Sequence, residues 1–173
     1  MKTSMVISFV GDDKPGLIEL LSKLVRQHDG NWLESRMTRL AGKFAGILRV
    51  DIPAAGANTF AQALQDLDAL GVQLSVESSS HAASQSSGSR YRLEIIGHDR
   101  PGIVQEVASA LASRMINVLE FDTEMTSAPM SAEPLFQANA DIEAPAQLDM
   151  ASLEEHLTKI ADQLCLEYTL EPA

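Results

Sequence analysis

Two short segments of this chain carry the same chemistry. Gly11-Asp12-Asp13-Lys14-Pro15-Gly16-Leu17 recurs as Gly97-His98-Asp99-Arg100-Pro101-Gly102-Ile103, each following an alternating apolar run and opening an amphipathic stretch. Unpaired amides at a helix N-terminus, with the positive end of the helix dipole, suit an anion such as the α-carboxylate of an amino acid. Asp13 and Asp99 stand where a capping carboxylate is expected, and Pro15 and Pro101 where the first helical turn tolerates a missing N–H. Gly16 and Gly102 remove a β-carbon from the same place. The offset of 86 residues goes on to align Asn31, Leu33 and Glu34 with Asn117, Leu119 and Glu120. An asparagine entering the second strand near the helix start can offer its amide oxygen to an ammonium and its N–H to a carboxylate. The candidate ligand-binding residues are therefore Gly11, Asp12, Asp13, Pro15, Gly16, Leu17 and Asn31 in the first copy. In the second they are Gly97, His98, Asp99, Pro101, Gly102, Ile103 and Asn117. His98 replaces Asp12 and lowers the local negative charge, so the two loops need not hold the same ligand. The same residues also form a good strand-to-helix connection that binds nothing, and the spacing leaves both readings open.

Other chemistry is thin. Cys165 opens an apolar final strand, where a buried, inert thiol is expected, and one cysteine makes neither an internal disulfide nor a multi-cysteine metal site. His28, His81, His98 and His156 fall on a helix end, a linker, a loop and a helix, with no metal-ligand spacing and no legible triad. A metal held by Asp12, Asp13, His98 and Asp99 would need the two loops to meet and would compete with capping. Gly11 and Gly16 are isolated, unlike the glycines of a phosphate-cradling loop. No catalytic residue, cofactor or metal is expected.

The elements that position the loops follow from periodicity. Met5, Ile7 and Phe9 alternate as a strand, and Leu17, Leu20, Leu21, Leu24, Val25 and His28 recur at helical spacing until Gly30. A strand from Asn31 to Leu40 turns at Ala41-Gly42 and returns through Phe44, Gly46, Leu48, Val50 and Ile52 to Pro53. Thr59 with Gln62 reads as a capping box before Phe60, Ala63, Leu64 and Leu67, and Val72, Leu74 and Val76 close the unit. The second half repeats the order. Tyr91, Leu93 and Ile95 form a strand; Ile103, Val107, Leu111 and Met115 form a helical stripe. Leu119 to Met125 and Phe136 to Ile142 form a hairpin, and Ser152 with Glu155 caps a helix before the strand Leu166, Tyr168, Leu170. Two helices with one-sided apolar stripes need one sheet face, so the fold class is α+β: two ferredoxin-like βαββαβ units, each a four-stranded antiparallel sheet with both helices on one side. The units span 1–77 and 90–173, joined by a Ser-rich linker at 78–89. The second hairpin is four residues longer and carries Met125, Pro129, Met130 and Pro134 around its tip, a candidate contact surface. Val6, Val10, Trp32 and Ile47 are expected on the sheet face away from the helices in the first unit, where the second has Arg92, Glu94, Glu120 and Asp122. That apolar excess implies a covered face, by the other unit or by another chain.

The repeated Gly-x-Asp-[Lys/Arg]-Pro-Gly-[Leu/Ile] loop, with an asparagine opening the next strand of a βαββαβ unit, resembles the ACT domain. The resemblance covers nearly the whole chain apart from the linker and implies amino-acid-sensing modules that commonly associate, hence a homo-oligomer through ACT sheets. Two units without an attached enzyme resemble, more narrowly, the stand-alone ACT regulators of the glycine cleavage system. That likeness implies a non-catalytic regulator sensing a small amino acid, glycine first, and acting by protein contact on a DNA-binding transcription activator. The alternative it implies is a regulatory ACT subunit of an amino-acid biosynthetic enzyme. Composition agrees with a protein partner: 13 Lys and Arg against 24 Asp and Glu give a formal charge of −11, which opposes direct nucleic-acid binding. With 45% hydrophobic residues, no long apolar span and no secretory h-region before Gly11, a cytoplasmic protein that does not enter membranes is expected.

Overall fold

The computed structural model describes residues 1–78, 88–127 and 133–173. Most of the expected linker, and the centre of the expected hairpin tip, lie outside the described residues. The chain divides into two compact units, Met1–Ser84 and Gln85–Ala173. Unit 1 runs β1 (Lys2–Asp12), α1 (Leu17–Gln27), β2 (Asn31–Leu40), β3 (Lys43–Pro53), α2 (Ala57–Gln65) and β4 (Val72–Ser78), with short 3-10 turns at Ala54–Gly56 and Asp66–Leu70. Unit 2 runs β5 (Ser89–His98), α3 (Ile103–Ala112), β6 (Asn117–Ser127), β7 (Pro134–Ala144), α4 (Met150–Leu164) and β8 (Leu166–Pro172). Ser78 and Ser89, expected in the linker, are therefore strand residues.

Each unit is one antiparallel four-stranded sheet, ordered β2-β3-β1-β4 and β6-β7-β5-β8. One face of each sheet is apolar and the helices bury it. In unit 1, Ile7, Leu48, Val50 and Ile52 meet Leu21, Val25, Phe60 and Leu64, all of them buried. In unit 2, Leu93, Ile95, Ala140 and Ile142 meet Val107, Leu111, Leu153 and Leu157. Ala41 and Gly42 both have positive φ, 49° and 78°, the signature of a type I′ hairpin turn. Both second strands also carry an irregularity at the same place, between Trp32 and Glu34 and between Val118 and Glu120. Leu33 and Leu119 are thus bulge residues, and each is 39% exposed.

Several local expectations are overturned. α1 ends at Gln27, just before Gly30 as expected, and the left-handed residue that follows it is Asp29, at φ 53°; Met115 takes the same conformation after α3, at φ 56°. Gly30 is needed for space, since a β-carbon there would stand 2.9 Å from the Val25 carbonyl oxygen and collide with Ile52 Cδ1. Met115 therefore leaves the helical stripe and is exposed, while Ile116 turns into the core in its place. Thr59 lies inside the first turn of α2, where its hydroxyl donates back to the Gly56 carbonyl at 2.8 Å instead of capping. The cap of α4 is Asp149, which accepts from the Ala151 N–H at 3.1 Å, and not Ser152. Trp32 stands opposite fully buried Val50 and packs against the core of unit 1, so the irregularity after it leaves it on the helix side, not on the outer face.

The outer sheet faces diverge. Across the four strands of unit 2 the register aligns Glu120–Asp141–Arg92–Glu171, then Asp122–Asn139–Glu94–Thr169, then Glu124–Gln137–Ile96–Glu167. The matching rows of unit 1 are Glu34–Arg49–Val6–Glu77, Arg36–Ile47–Ser8–Ser75 and Thr38–Ala45–Val10–Gln73. Unit 1 holds 9 acids and 8 bases, unit 2 holds 15 acids and 5 bases, so almost all of the net charge of −11 belongs to unit 2.

Candidate functional site

The first loop leaves β1 at Asp12 and enters α1 at Leu17 through Pro15 and Gly16. Gly16 has φ 97° and ψ −4°, the conformation of the third residue of a type II turn, which proline precedes well. Gly102 repeats it at φ 102° and ψ −13°. A β-carbon at either glycine would meet nothing within 4 Å, so these glycines supply a backbone conformation rather than space. Gly16 and Gly102 are themselves the N-cap residues, which puts Pro15 and Pro101 before the helix and not in its first turn.

Neither helix start has a side-chain cap. The turn carries Asp13 away from the helix, and its carboxylate accepts instead from Arg39 Nη1 of β2 at 3.3 Å. The Asp13 N–H donates to the Gly42 carbonyl at 3.0 Å, and the Asp99 N–H to the Pro134 carbonyl at 3.4 Å, so each loop is laced to its hairpin. The expected capping by Asp13 and Asp99 does not occur. Its absence leaves the first-turn amides of both helices open to an anion.

Charge in the first loop gathers on Asp12. Its carboxylate accepts from Lys43 Nζ at 2.6 Å and pairs with Lys14 Nζ at 3.4 Å. The Lys43 hydrogen bond, followed by that of Lys14, holds the Asp12 carboxyl below the ordinary carboxylate range. Asp12 and Lys14 also line a cleft of about 180 Å³, whose other walls are Pro15, Gly16, Leu17, Leu20, Leu70 and Val72. Oppositely charged groups at the mouth and apolar walls behind them form a complement to a zwitterion with a side chain.

The second loop differs. His98 Nδ1 lies 3.7 Å from Glu133, and the strand neighbour of His98 is Leu135, where that of Asp12 is Lys43. Gly11 is buried, and Gly97 is packed so closely that a β-carbon would stand 3.0 Å from the Cys165 carbonyl oxygen.

Asn31 and Asn117 do not join the loops within their own units. Asn31 pairs with Asp51, which pairs with Ser4. Ser4 lies eight residues before Asp12 on β1, about 26 Å at strand rise. Asn117 is placed alike, through Glu143 and Arg90. The helix descends the length of the sheet before the asparagine is reached, so the asparagine stands near the helix end, not its start. Sequence reasoning missed Lys43, Leu20, Leu70 and Val72 as cleft or charge partners. The Asp12–Lys43 pairing depends on the third strand lying beside the first, which only the sheet order reveals. Among the described residues no group of three or more His, Cys, Asp or Glu is arranged to hold a metal, and no helix is long and apolar enough to cross a membrane.

Residues 3–80 match the sequence model of the ACT domain. A search of curated proteins found no match. Among solved structures, one described as an unknown protein from Galdieria sulphuraria is 29% identical, covers 100% of this chain and 99% of its own, and superposes with a TM-score of 0.87. A protein provisionally named a glycine cleavage system transcriptional repressor is 17% identical, covers 99% of this chain and 97% of its own, and has a TM-score of 0.70, a likeness of fold across both units. A formyltetrahydrofolate deformylase from Pseudomonas putida KT2440 overlaps in part, at 17% identity over 49% of this chain and 29% of its own, with a TM-score of 0.42.

Proposed function

We propose, from unit 1 being an ACT domain and unit 2 repeating its fold, that the protein is a non-catalytic, cytoplasmic regulator that senses an amino acid and acts by contact with a DNA-binding transcription activator of the glycine cleavage system. The observation that carries the sensing part is the first loop: an uncapped helix start, an Asp12–Lys14 pair at the mouth and an apolar cleft behind it. Gly11, Asp12, Asp13, Pro15, Gly16 and Leu17 shape that site, with Gly97, His98, Asp99, Pro101, Gly102 and Ile103 as its counterpart. Asn31 and Asn117 take part only where a second unit or chain brings them to a loop. The regulatory part rests on the likeness of fold to the provisionally named repressor and on the acidic balance of the chain, which suits a protein partner better than DNA.

A ligand can change partner affinity only by binding the free and the complexed forms differently. Capture of the purified activator on the tagged chain, with and without glycine and other amino acids, tests the proposal. An amino-acid-dependent change in capture is expected; absence of capture overturns the transcriptional role. Capture of an amino-acid biosynthetic enzyme from the same cells instead establishes the second reading, a regulatory subunit. Replacing Thr126–Glu133 by a short Gly-containing turn asks whether the hairpin tip contributes to capture.

A further inference from the structure

β6 closes one side of the unit 2 sheet. Among the described residues it pairs with β7 alone, so its other side presents a row of backbone N–H and C=O groups. It is longer than β8 at the opposite end of that sheet, and it holds neither Lys nor Pro, which commonly blunt such an edge. Its two faces differ. Phe121 and Met125, opposite Ala140 and Phe136, lie on the helix side and are 42% and 54% exposed. The matching strand of unit 1 packs Trp32 and Met37 against its core instead. Glu120, Asp122 and Glu124 occupy the outer face of β6 at every second position. Arg92, the base in the same rows, stands two strands inward on β5 and is paired with Asp141.

We infer that the β6 edge takes up an extended segment of a protein partner in which Lys or Arg at every second residue alternates with apolar side chains. Added as a further strand, such a segment sets its bases beside Glu120, Asp122 and Glu124 on the outer face and its apolar side chains beside Phe121 and Met125 on the other. Opposite charges paired across strands are favourable, and like charges are not. The β6 of a second copy therefore suits the edge poorly: an antiparallel pairing centred on Asp122 sets Glu120 against Glu124 and Asp122 against its own copy. A DNA-binding protein has basic residues to offer. That the segment belongs to the activator rests on the transcriptional reading, whereas the character of the edge does not.

Fluorescence anisotropy of the full chain with a labelled peptide of alternating lysine and valine, and with its isomer carrying the lysines at one end, tests the edge. The alternating peptide is expected to bind at least about tenfold more tightly than the isomer of equal charge. Combining Glu120→Gln, Asp122→Asn and Glu124→Gln should weaken it about tenfold. Phe121→Lys, a charge on the apolar side of the edge, should abolish its binding. Both variants alter exposed positions, circular dichroism melting checks that they fold, and both should weaken capture of the purified activator. Equal binding of the two peptides, or wild-type peptide binding by both variants, overturns the inference and leaves the transcriptional reading standing. So does a dimer of this chain that Phe121→Lys dissociates in sedimentation, since a second copy then holds the edge. Activator capture that neither variant weakens also overturns it. Failure of the wild-type chain to capture the activator overturns the transcriptional reading, while the peptides still decide the edge.

Discussion

At the residue scale, the copies show which conformations a position requires. The residue that leads from the last helix into the last strand is left-handed in both units: Gly71 at φ 81° in unit 1 and Cys165 at φ 50° in unit 2, where the cysteine ends α4 and is exposed, not buried in the strand as expected. Met115 holds the same region after α3 at φ 56° and is exposed. An L-residue there carries about 1–2 kcal/mol of strain, while glycine costs about 0.5–1 kcal/mol of extra chain entropy. Cys165→Gly and Met115→Gly should therefore each stabilise the protein by roughly 0.5–1 kcal/mol, read as a higher denaturant midpoint at unchanged slope. A lower midpoint for both would show that these side chains contribute more than their backbone costs. The Pro-Gly pairs were legible in the sequence as helix-start signals. Their place before the helix was not, because a type II turn and a first helical turn draw on the same two residues.

Asp12 gives a pH dependence of definite sign. Lys43, then Lys14, lower its pKa in the folded protein, so the unfolded chain binds the proton more readily. The stabilisation from this cluster is present above the ordinary aspartate range and is lost as pH falls through the depressed folded value. The stability difference between the native protein and Lys43→Met should thus be seen at neutral pH and vanish in strong acid. The pair is exposed, so the difference is small. A difference that grows on acidification would mean that Lys43 acts through packing and not through Asp12.

At the scale of elements, alternation was the reliable signal. Each strand that lies on a core has its buried set at every second residue, and Ala41-Gly42 announces its hairpin because both central residues of a type I′ turn need positive φ. Helix starts were less legible. Ser152 and Thr59 both match a capping pattern, but the helices begin earlier, at Met150 and Ala57, once the preceding chain is packed. Asp149→Ala should cost about 1 kcal/mol through loss of the α4 cap. Ser152→Ala should cost less, since among the described residues its hydroxyl meets Arg114 at 3.4 Å, and Arg114 keeps its 3.1 Å bond to the Ser152 carbonyl. Chemical denaturation of the two variants ranks them, and the reverse order would restore Ser152 as the effective cap. The cleft is the harder case, since its walls come from α1 and from residues flanking Gly71, Leu17 and Leu20 against Leu70 and Val72, far apart in the chain.

At the scale of the whole molecule, one repeat has kept a mixed surface while the other has become acidic. Seven of the twelve positions in the central rows of the unit 2 outer face are carboxylates, against two in unit 1. Arg92 answers part of that field: it donates to Asp141 at 3.1 Å, and Asp141 is the main reason its guanidinium pKa is raised. Glu120 and Asp141 stand directly opposite on neighbouring strands, an arrangement that costs about 0.2–1 kcal/mol per like-charged pair. Such repulsion weakens as salt shortens the screening length, from about 20 Å near 20 mM to about 4 Å near 0.5 M. Trp32 is the single tryptophan and belongs to the unit 1 core, whereas circular dichroism follows both units. Raising salt over that range should raise the melting midpoint seen by circular dichroism by several degrees while moving the Trp32 fluorescence midpoint little, since about 1 kcal/mol shifts a domain of this size by roughly 4–8 °C. Equal shifts in both signals, or none, would show that the acidic face is already compensated and that unit 2 carries its charge without loss of stability.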